Sequence, residues 1–140
     1  MDNAIGLDPA AEYHAYEFWS DTYLGKLAGT SRLARELEPN HCAMISLRKA
    51  MPHPQVVSTD RHILQGWVDL TDVQWDAAAR TLSGSARVIG GDPFRIAIAH
   101  NGAKPTSASG ALEAHSAEEL STLVLTAAET RDVKWSVKYE

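Results

Sequence analysis

The sequence has one cysteine, few basic residues and no long apolar run, and each shortage excludes a class of protein. Because Cys42 is the single cysteine among 140 residues, no intrachain disulfide can form. The 18 Asp and Glu outnumber the 13 Lys and Arg, and the formal net charge of −5 disfavours a nucleic-acid partner, which would need a basic face. A membrane helix requires about 18 consecutive apolar residues, and no stretch approaches that length. We therefore expect a soluble, acidic protein with neither nucleic acid nor membrane as a partner.

Motifs for cofactors, metals and nucleophilic catalysis are absent as well. The chain has no P-loop, no Gly-x-Gly-x-x-Gly and no Gly-x-Ser-x-Gly. Its six histidines lack the short spacings of a zinc site. Asp69, Asp72 and Asp76 resemble a calcium loop only in composition, since the Gly and Glu that an EF-hand needs are missing. The prediction is no cofactor, no metal and no catalytic residue in this chain alone.

Two short segments call for separate interpretation. Cys42 lies between His41 and Ala43, where we expect a buried thiol that packs as a small apolar group, in preference to a nucleophile. The first residues lack the basic and apolar regions of a signal peptide. Residues 1–11 are interpreted as a linker or the boundary of a longer polypeptide, so the sequence does not distinguish a cytoplasmic from a secreted protein.

Alternation of apolar and polar residues with a period of two dominates the chain and is typical of half-buried strands. The clearest run places Val133, Trp135, Val137 and Tyr139 on one face. Similar alternation, or a concentration of aromatic residues, predicts five further strands, at residues 13–19, 43–48, 82–88, 94–99 and 123–127. These patterns predict one all-β domain over residues 12–140, an antiparallel, Greek-key-like β-sandwich of about eight strands.

The remaining segments are less regular. Residues 62–70 are predicted as a strand, and residues 111–120 as a strand with a turn near Ser116. Residues 32–37 fit either a short helical turn or a strand. The Gly-Gly-Asp-Pro run at residues 90–93 predicts a hairpin between the strands on either side of it.

A polar loop is predicted at residues 103–110, which are small and include Pro105. Residues 51–62 are predicted as an extended loop, because Pro52 and Pro54 are incompatible with an interior strand. The polar side chains of that second loop could bind sugar hydroxyls or could satisfy the backbone of a rigid crossover between sheets.

The four tryptophans also have two possible roles, one in the core and one at the surface. Trp135 lies on an apolar strand face and is predicted to be buried. Trp75 precedes a turn at Asp76 and is predicted to be the best exposed ring, with Trp67 and Trp19 as further candidates for stacking on a sugar.

The order of several motifs resembles the C-terminal β-sandwich domain of α-galactosidase-like (melibiase-type) glycoside hydrolases. The similar motifs are Tyr16-Glu17-Phe18-Trp19, Tyr23-Leu24-Gly25, the block from Pro54 to Gly66, Asp72-Val73-Gln74-Trp75-Asp76, and the final Val133-Lys134-Trp135-Ser136-Val137. The resemblance covers residues from about 12 to 140. It implies a (β/α)8 catalytic domain as partner, and it transfers no catalytic residue, since the two catalytic aspartates of that family lie on the barrel.

Three functions remain open from the sequence. The first is a non-catalytic accessory domain that packs against a catalytic barrel and adds weak sugar contacts. The second is a carbohydrate-binding module that uses exposed tryptophans, and the third is a small enzyme that uses the Pro54–His62 loop. The candidate interdomain or sugar-contacting residues are Tyr23, His53, Gln55, Arg61, His62, Trp67 and Trp75.

Overall fold

The computed structural model describes residues 5–114 and 119–140, and within them it contains eleven β-strands and no helix. All strand pairs are antiparallel. The chain divides into two compact units, the N-terminal unit (Met1–Ala50) and the C-terminal unit (Met51–Glu140). The prediction of an all-β, antiparallel fold is confirmed, with more strands than the eight expected. The described residues include no helix with the length and apolarity needed to span a bilayer.

The N-terminal unit is one sheet in the order β2-β1-β3, formed by β1 (Glu12–Glu17), β2 (Thr22–Ala28) and β3 (Ile45–Lys49). Residues 13–17 of the central strand are all buried, so both faces of that strand are covered. Between β2 and β3 the chain is irregular, and residues 31–42 are exposed throughout. Residues 32–37 therefore form neither the helical turn nor the strand that their pattern allowed.

The C-terminal unit contains two four-stranded sheets. The β7 sheet has the order β4-β7-β10-β9 and consists of β4 (Gln55–Thr59), β7 (Phe94–Ala99), β10 (Leu120–Leu125) and β9 (Ala111–Ala114). The β11 sheet has the order β5-β6-β11-β8 and consists of β5 (Leu70–Asp76), β6 (Thr81–Val88), β11 (Arg131–Tyr139) and β8 (Pro105–Ala108). The prediction of an extended loop over residues 51–62 is wrong in part, because β4 lies within it. Pro54, which has no N–H donor, directly precedes β4, and β4 is an edge strand, where a missing donor is tolerated.

One apolar cluster joins the two sheets of the C-terminal unit. Ile96 and Leu123 of the β7 sheet belong to the same cluster as Trp135 and Val137 of the β11 sheet, and all four are buried. A Cβ atom at Gly84 would lie 2.8 Å from Cζ2 of Trp135, so glycine is needed for the indole to lie against β6. The unit is therefore a β-sandwich whose core lies between its sheets.

Two predictions about connections are wrong. The Gly-Gly-Asp-Pro run does not close a hairpin, because β6 and β7 belong to different sheets. The Gly91 N–H donates instead to the Ala127 carbonyl (3.0 Å), so the turn is bonded to the segment that follows β10. Residues 103–110 are not simply a loop, since β8 pairs with β11 at the edge of the sheet. Edge strands need no apolar alternation, which explains why the polar composition was misleading.

Two further predictions concern individual strands. Residues 62–69 form turns, and the strand predicted there begins only at Leu70. The strand predicted at residues 111–120 is present in part, as β9 and the start of β10. The turn predicted near Ser116 lies outside the described residues.

Candidate binding surfaces

The segment of residues 62–69, here called the Trp67 turn, is fixed from the inside. Gln65 is buried, and its Oε1 accepts a hydrogen bond of 2.9 Å from Oγ of Ser58. The backbone N–H of Gln65 donates to the His62 carbonyl (2.7 Å), and that of Trp67 to the Leu64 carbonyl (3.1 Å). Gln65 and Gly66 have φ values of 50° and 91°, a left-handed pair that reverses the chain. The turn is therefore held by its backbone and by one buried amide.

The outer side of the same turn is apolar. Trp67 is 77% exposed, the highest exposure of any large apolar side chain described. Ile63, Leu64 and Val68 beside it are exposed as well. Four large apolar side chains on one short, rigid turn form the kind of exposed patch that marks a binding surface.

A polar cleft of about 320 Å³ has Val68, the residue that follows Trp67 in the chain, in its lining. Its polar lining comes from three strands and the end of the turn: Asp69, Thr71, Asp72, Ser85, Arg87 and Asp132. Thr59 Oγ1 donates to Oδ2 of Asp69 (3.1 Å), which holds that carboxylate in place. Arg87 lies opposite Asp132 in the register of β6 and β11, and its Nη1 donates to Oδ1 at 3.3 Å.

A bulge in β5 shapes one wall of this cleft. The register of β5 against β6 shifts between Thr71 and Gln74, and Asp72 within the bulge has a φ of 54°. Asp tolerates this left-handed conformation better than most residues. Bulges commonly redirect side chains beside functional sites, and here the bulge contains a carboxylate that lines the cleft.

Three of the predicted site residues come together, but not as an exposed platform. The rings of His53 and Trp75 are stacked, with centroids 5.6 Å apart and an interplanar angle of 2°. Asn101 Nδ2 donates to the His53 carbonyl (2.8 Å) and to Oε1 of Gln55 (3.1 Å). Asn101 thus connects Gln55, the third predicted residue, to His53. Trp75 is half-buried and also packs edge-on against Tyr139. The prediction that Trp75 is the best exposed ring is wrong, because its ring packs against the sandwich core.

The other predicted site residues have local partners. Arg61 donates to Oδ2 of Asp92, and its guanidinium lies 5.5 Å from the ring centroid of Phe94. His62 is exposed, and its Nδ1 accepts from the Leu64 N–H at 3.3 Å. Tyr23 belongs to the N-terminal unit, where its hydroxyl shares a hydrogen bond of 2.8 Å with Nδ1 of His14. The roles visible for Arg61 and His62 are therefore structural.

A second cleft, of about 370 Å³, lies in the N-terminal unit and includes Trp19, Leu37 and Cys42 in its lining. Trp19 is 59% exposed, and Leu37 is 54% exposed. Cys42 is also exposed, so the prediction of a buried thiol is wrong. The irregular backbone of residues 31–42 leaves these side chains without a facing strand.

Glu17 forms the buried polar floor of that cleft. Its carboxylate accepts hydrogen bonds from the Ser20 N–H (2.6 Å), the Ser20 hydroxyl (2.7 Å) and the backbone N–H groups of Met44 (3.0 Å) and Trp19 (3.2 Å). Burial acts to raise the pKa of Glu17, but these hydrogen bonds together outweigh it and lower the pKa to about 2. A carboxylate with so many donors serves to join β1 to the segment before β3.

A second buried polar pair of the C-terminal unit is His100 and Ser121, which share a hydrogen bond of 2.8 Å between Nε2 and Oγ. Burial lowers the pKa of His100 and raises that of the neighbouring Tyr139. A buried serine beside a neutral histidine would be a nucleophile–base pair only if substrate could reach it, and both residues are more than nine-tenths covered.

No group of His, Cys, Asp or Glu suited to hold a metal ion occurs among residues 5–114 and 119–140. Comparison of the chain with protein-family models, with curated proteins and with solved structures returned no match.

Proposed function

We propose that this chain is a non-catalytic C-terminal β-sandwich domain of an α-galactosidase-like glycoside hydrolase, where it packs against a (β/α)8 catalytic domain and stabilises it. The observation that carries this proposal is the small apolar core of the N-terminal unit. Among its described residues, the buried apolar side chains are Tyr13, Ala15 and Tyr16. Its exposed large apolar side chains are more numerous: Ile5, Trp19, Leu33, Leu37 and Met44.

A three-stranded sheet with so few buried apolar groups gains little from its own core. Independent stability of such a sheet in water normally requires a hydrophobic face packed against another layer. The exposed segment of residues 31–42 adds Leu33 and Leu37 to the surface that a partner could cover. An accessory domain that evolved against a larger domain is expected to carry such a surface.

Two depressions on the N-terminal unit have the composition of sockets for a partner's side chains. One is the Trp19 cleft already described. The other measures about 220 Å³ and is lined mainly by apolar residues, among them Leu27, Leu33 and Leu47. The resemblance of Tyr16-Glu17-Phe18-Trp19 to the first strand of the glycoside hydrolase sandwich supports a catalytic barrel as the partner that fills them.

A fusion experiment tests this packing directly. The 140-residue chain is joined to the C-terminus of a (β/α)8 domain from an α-galactosidase-like enzyme whose own sandwich has been removed. We expect the chain to raise the thermal midpoint of the barrel by several degrees, and Leu37→Asp to abolish the gain by placing a charge in the interface.

Leu64→Asp is the matched control, because Leu64 has a similar exposure (48%) but lies on the C-terminal unit. It should leave the midpoint of the fused barrel unchanged. Separate, unshifted unfolding transitions for barrel and sandwich, or equal effects of the two substitutions, would contradict the proposal.

Carbohydrate binding is the second candidate function, and the exposure of Trp67 favours it. Three of the four tryptophans are exposed or half-buried, and Trp67 in particular lies on a turn that its backbone hydrogen bonds keep rigid. A flat aromatic ring held in solvent is suited to stack on the apolar face of a sugar.

A further inference from the structure

We propose that the cleft beside the Trp67 turn is a binding site for one neutral hexopyranose unit of an oligosaccharide; this site deepens the second candidate function and depends on it. The residues that line the cleft include Asp69, Asp72 and Arg87. Trp67 directly precedes the lining residue Val68 and would supply the stacking ring. None of the motifs that carry the family resemblance assigns a ligand to these residues.

The position of Trp67 follows from the chain. Consecutive Cα atoms are about 3.8 Å apart, so the Trp67 backbone lies directly beside that of Val68, which lines the cleft. The indole is 77% exposed and its backbone N–H is bonded within the turn. Because the turn that carries the indole is already fixed at its backbone, a sugar that stacks on the ring does not also have to order the turn.

The cleft supplies both kinds of hydrogen-bonding partner that sugar hydroxyls use. Asp69 and Asp72 are carboxylate acceptors, and Arg87 is a guanidinium with several N–H donors, of which those on Nη1 face Asp132. Planar carboxylate and guanidinium groups can bridge two adjacent hydroxyls, the arrangement present on a hexopyranose ring. The Ser85 hydroxyl adds a partner that can both donate and accept.

The charge of the lining selects against anionic ligands. Asp69, Asp72 and Asp132 outnumber the single cation, Arg87, among the residues that line the cleft. A uronic acid, sulfate or phosphate group would therefore meet net repulsion at short range.

One carboxylate of the lining is already held before any ligand arrives, and the backbone of the strands positions the others. The hydrogen bond from Thr59 holds Asp69, the bulge of β5 directs Asp72, and the strand register places Arg87 opposite Asp132. Pre-organised polar groups lower the entropy cost of binding, which matters for a ligand as small as one sugar ring.

Titration of the full chain with raffinose, maltotriose and cellotriose, followed by isothermal calorimetry, tests the site. These neutral trisaccharides present galacto- and glucopyranose rings in α and β linkage. We expect millimolar binding of at least one, an affinity loss of about tenfold for Trp67→Ala, and a loss of about threefold for Asp72→Asn, which keeps a residue that tolerates positive φ.

Trp19→Ala is the matched control, since Trp19 is an exposed tryptophan of the N-terminal unit. It should bind the trisaccharide with unchanged affinity, and digalacturonic acid should bind the unaltered chain more weakly than the neutral sugars. Unchanged thermal midpoints show that Trp67→Ala and Asp72→Asn remain folded.

The possible outcomes distinguish a failure of the proposed cleft from a failure of the carbohydrate-binding function. If the unaltered chain binds none of the three trisaccharides, both the carbohydrate-binding function and this cleft are overturned. If it binds one and Trp67→Ala binds it equally well, or Trp19→Ala loses as much affinity, the function stands and the cleft is wrong. Tighter binding of digalacturonic acid would also overturn the site.

Discussion

The two units of the chain are built from the same antiparallel strands but bury different kinds of side chain. The C-terminal unit covers Ile96, Leu123 and Trp135 between two facing sheets. The N-terminal unit has one sheet, and its central strand buries His14 and Glu17 beside Tyr16. The N-terminal unit thus buries more hydrogen-bonded polar groups relative to its few apolar ones, whereas the sandwich is held mainly by apolar packing between its two sheets.

The largest effect that separates the units is expected from Ile96→Ala. Ile96 is fully buried in the cluster between the sheets, so truncation leaves a cavity that its neighbours cannot fill. We expect the C-terminal unit to lose about 3–4 kcal/mol of unfolding free energy, measured by chemical denaturation. Leu33→Ala on the exposed part of the N-terminal unit is the comparison, and a similar loss there would remove the contrast.

An intermediate effect is expected from Glu17→Gln. The amide cannot accept hydrogen bonds as a charged carboxylate does, so we expect a loss on the order of 2 kcal/mol at neutral pH. Hydrogen exchange of β1 and β3 measures this locally. Loss of protection confined to the C-terminal unit would show that Glu17 does not stabilise its own sheet.

Protonation of the same carboxylate is expected to lower the stability of the N-terminal unit at acidic pH. Because the folded-state pKa of Glu17 is about 2, below its ordinary value of 4.5, its stabilising contribution is complete above 4.5. That contribution should fall progressively as the pH drops from 4.5 towards 2, and Glu17→Gln should flatten this part of the profile.

The smallest effect is expected from His100, at a different pH. Burial holds the folded-state pKa of His100 below its ordinary value of 6.5, so the unfolded chain takes up a proton first. The C-terminal unit should begin to lose stability as the pH falls below 6.5, before Glu17 titrates. Denaturation midpoints between pH 8 and pH 5 would measure this slope, which His100→Gln should reduce. An identical slope in the variant would assign the effect to other groups.

The core strands were predictable from the sequence because each has one face on the core. The alternation around Ile96 and around Trp135 gives β7 and β11 directly. The edge strand β8 was missed because half-exposed strands do not need alternating apolar residues. The pairing partners of β6 were also missed, since the Gly-Gly-Asp-Pro turn determines where the chain reverses and not which sheet it enters.

The candidate site was only partly predictable for a related reason. Trp67 was among the candidate residues, but the spacing of Leu64, Val68 and Leu70 imitated a strand and hid the turn that exposes the ring. The cleft requires β5, β6 and β11 to pair in one register before Asp72 and Arg87 can line the same space. No local pattern contains that information.

The crossing of the chain from β6 to β7 also has a kinetic consequence. Because neighbouring strands in the sequence enter different sheets, Gly84 must pair with the distant Trp135 before the β11 sheet is complete. Contacts between remote segments form only after the entropy of closing the intervening loop has been lost, and chains of this topology fold in milliseconds to seconds. During that time the unpaired edges of β6 and β7 are open to other chains. The order of the strands therefore leads to slow folding and to an aggregation tendency that rises with protein concentration.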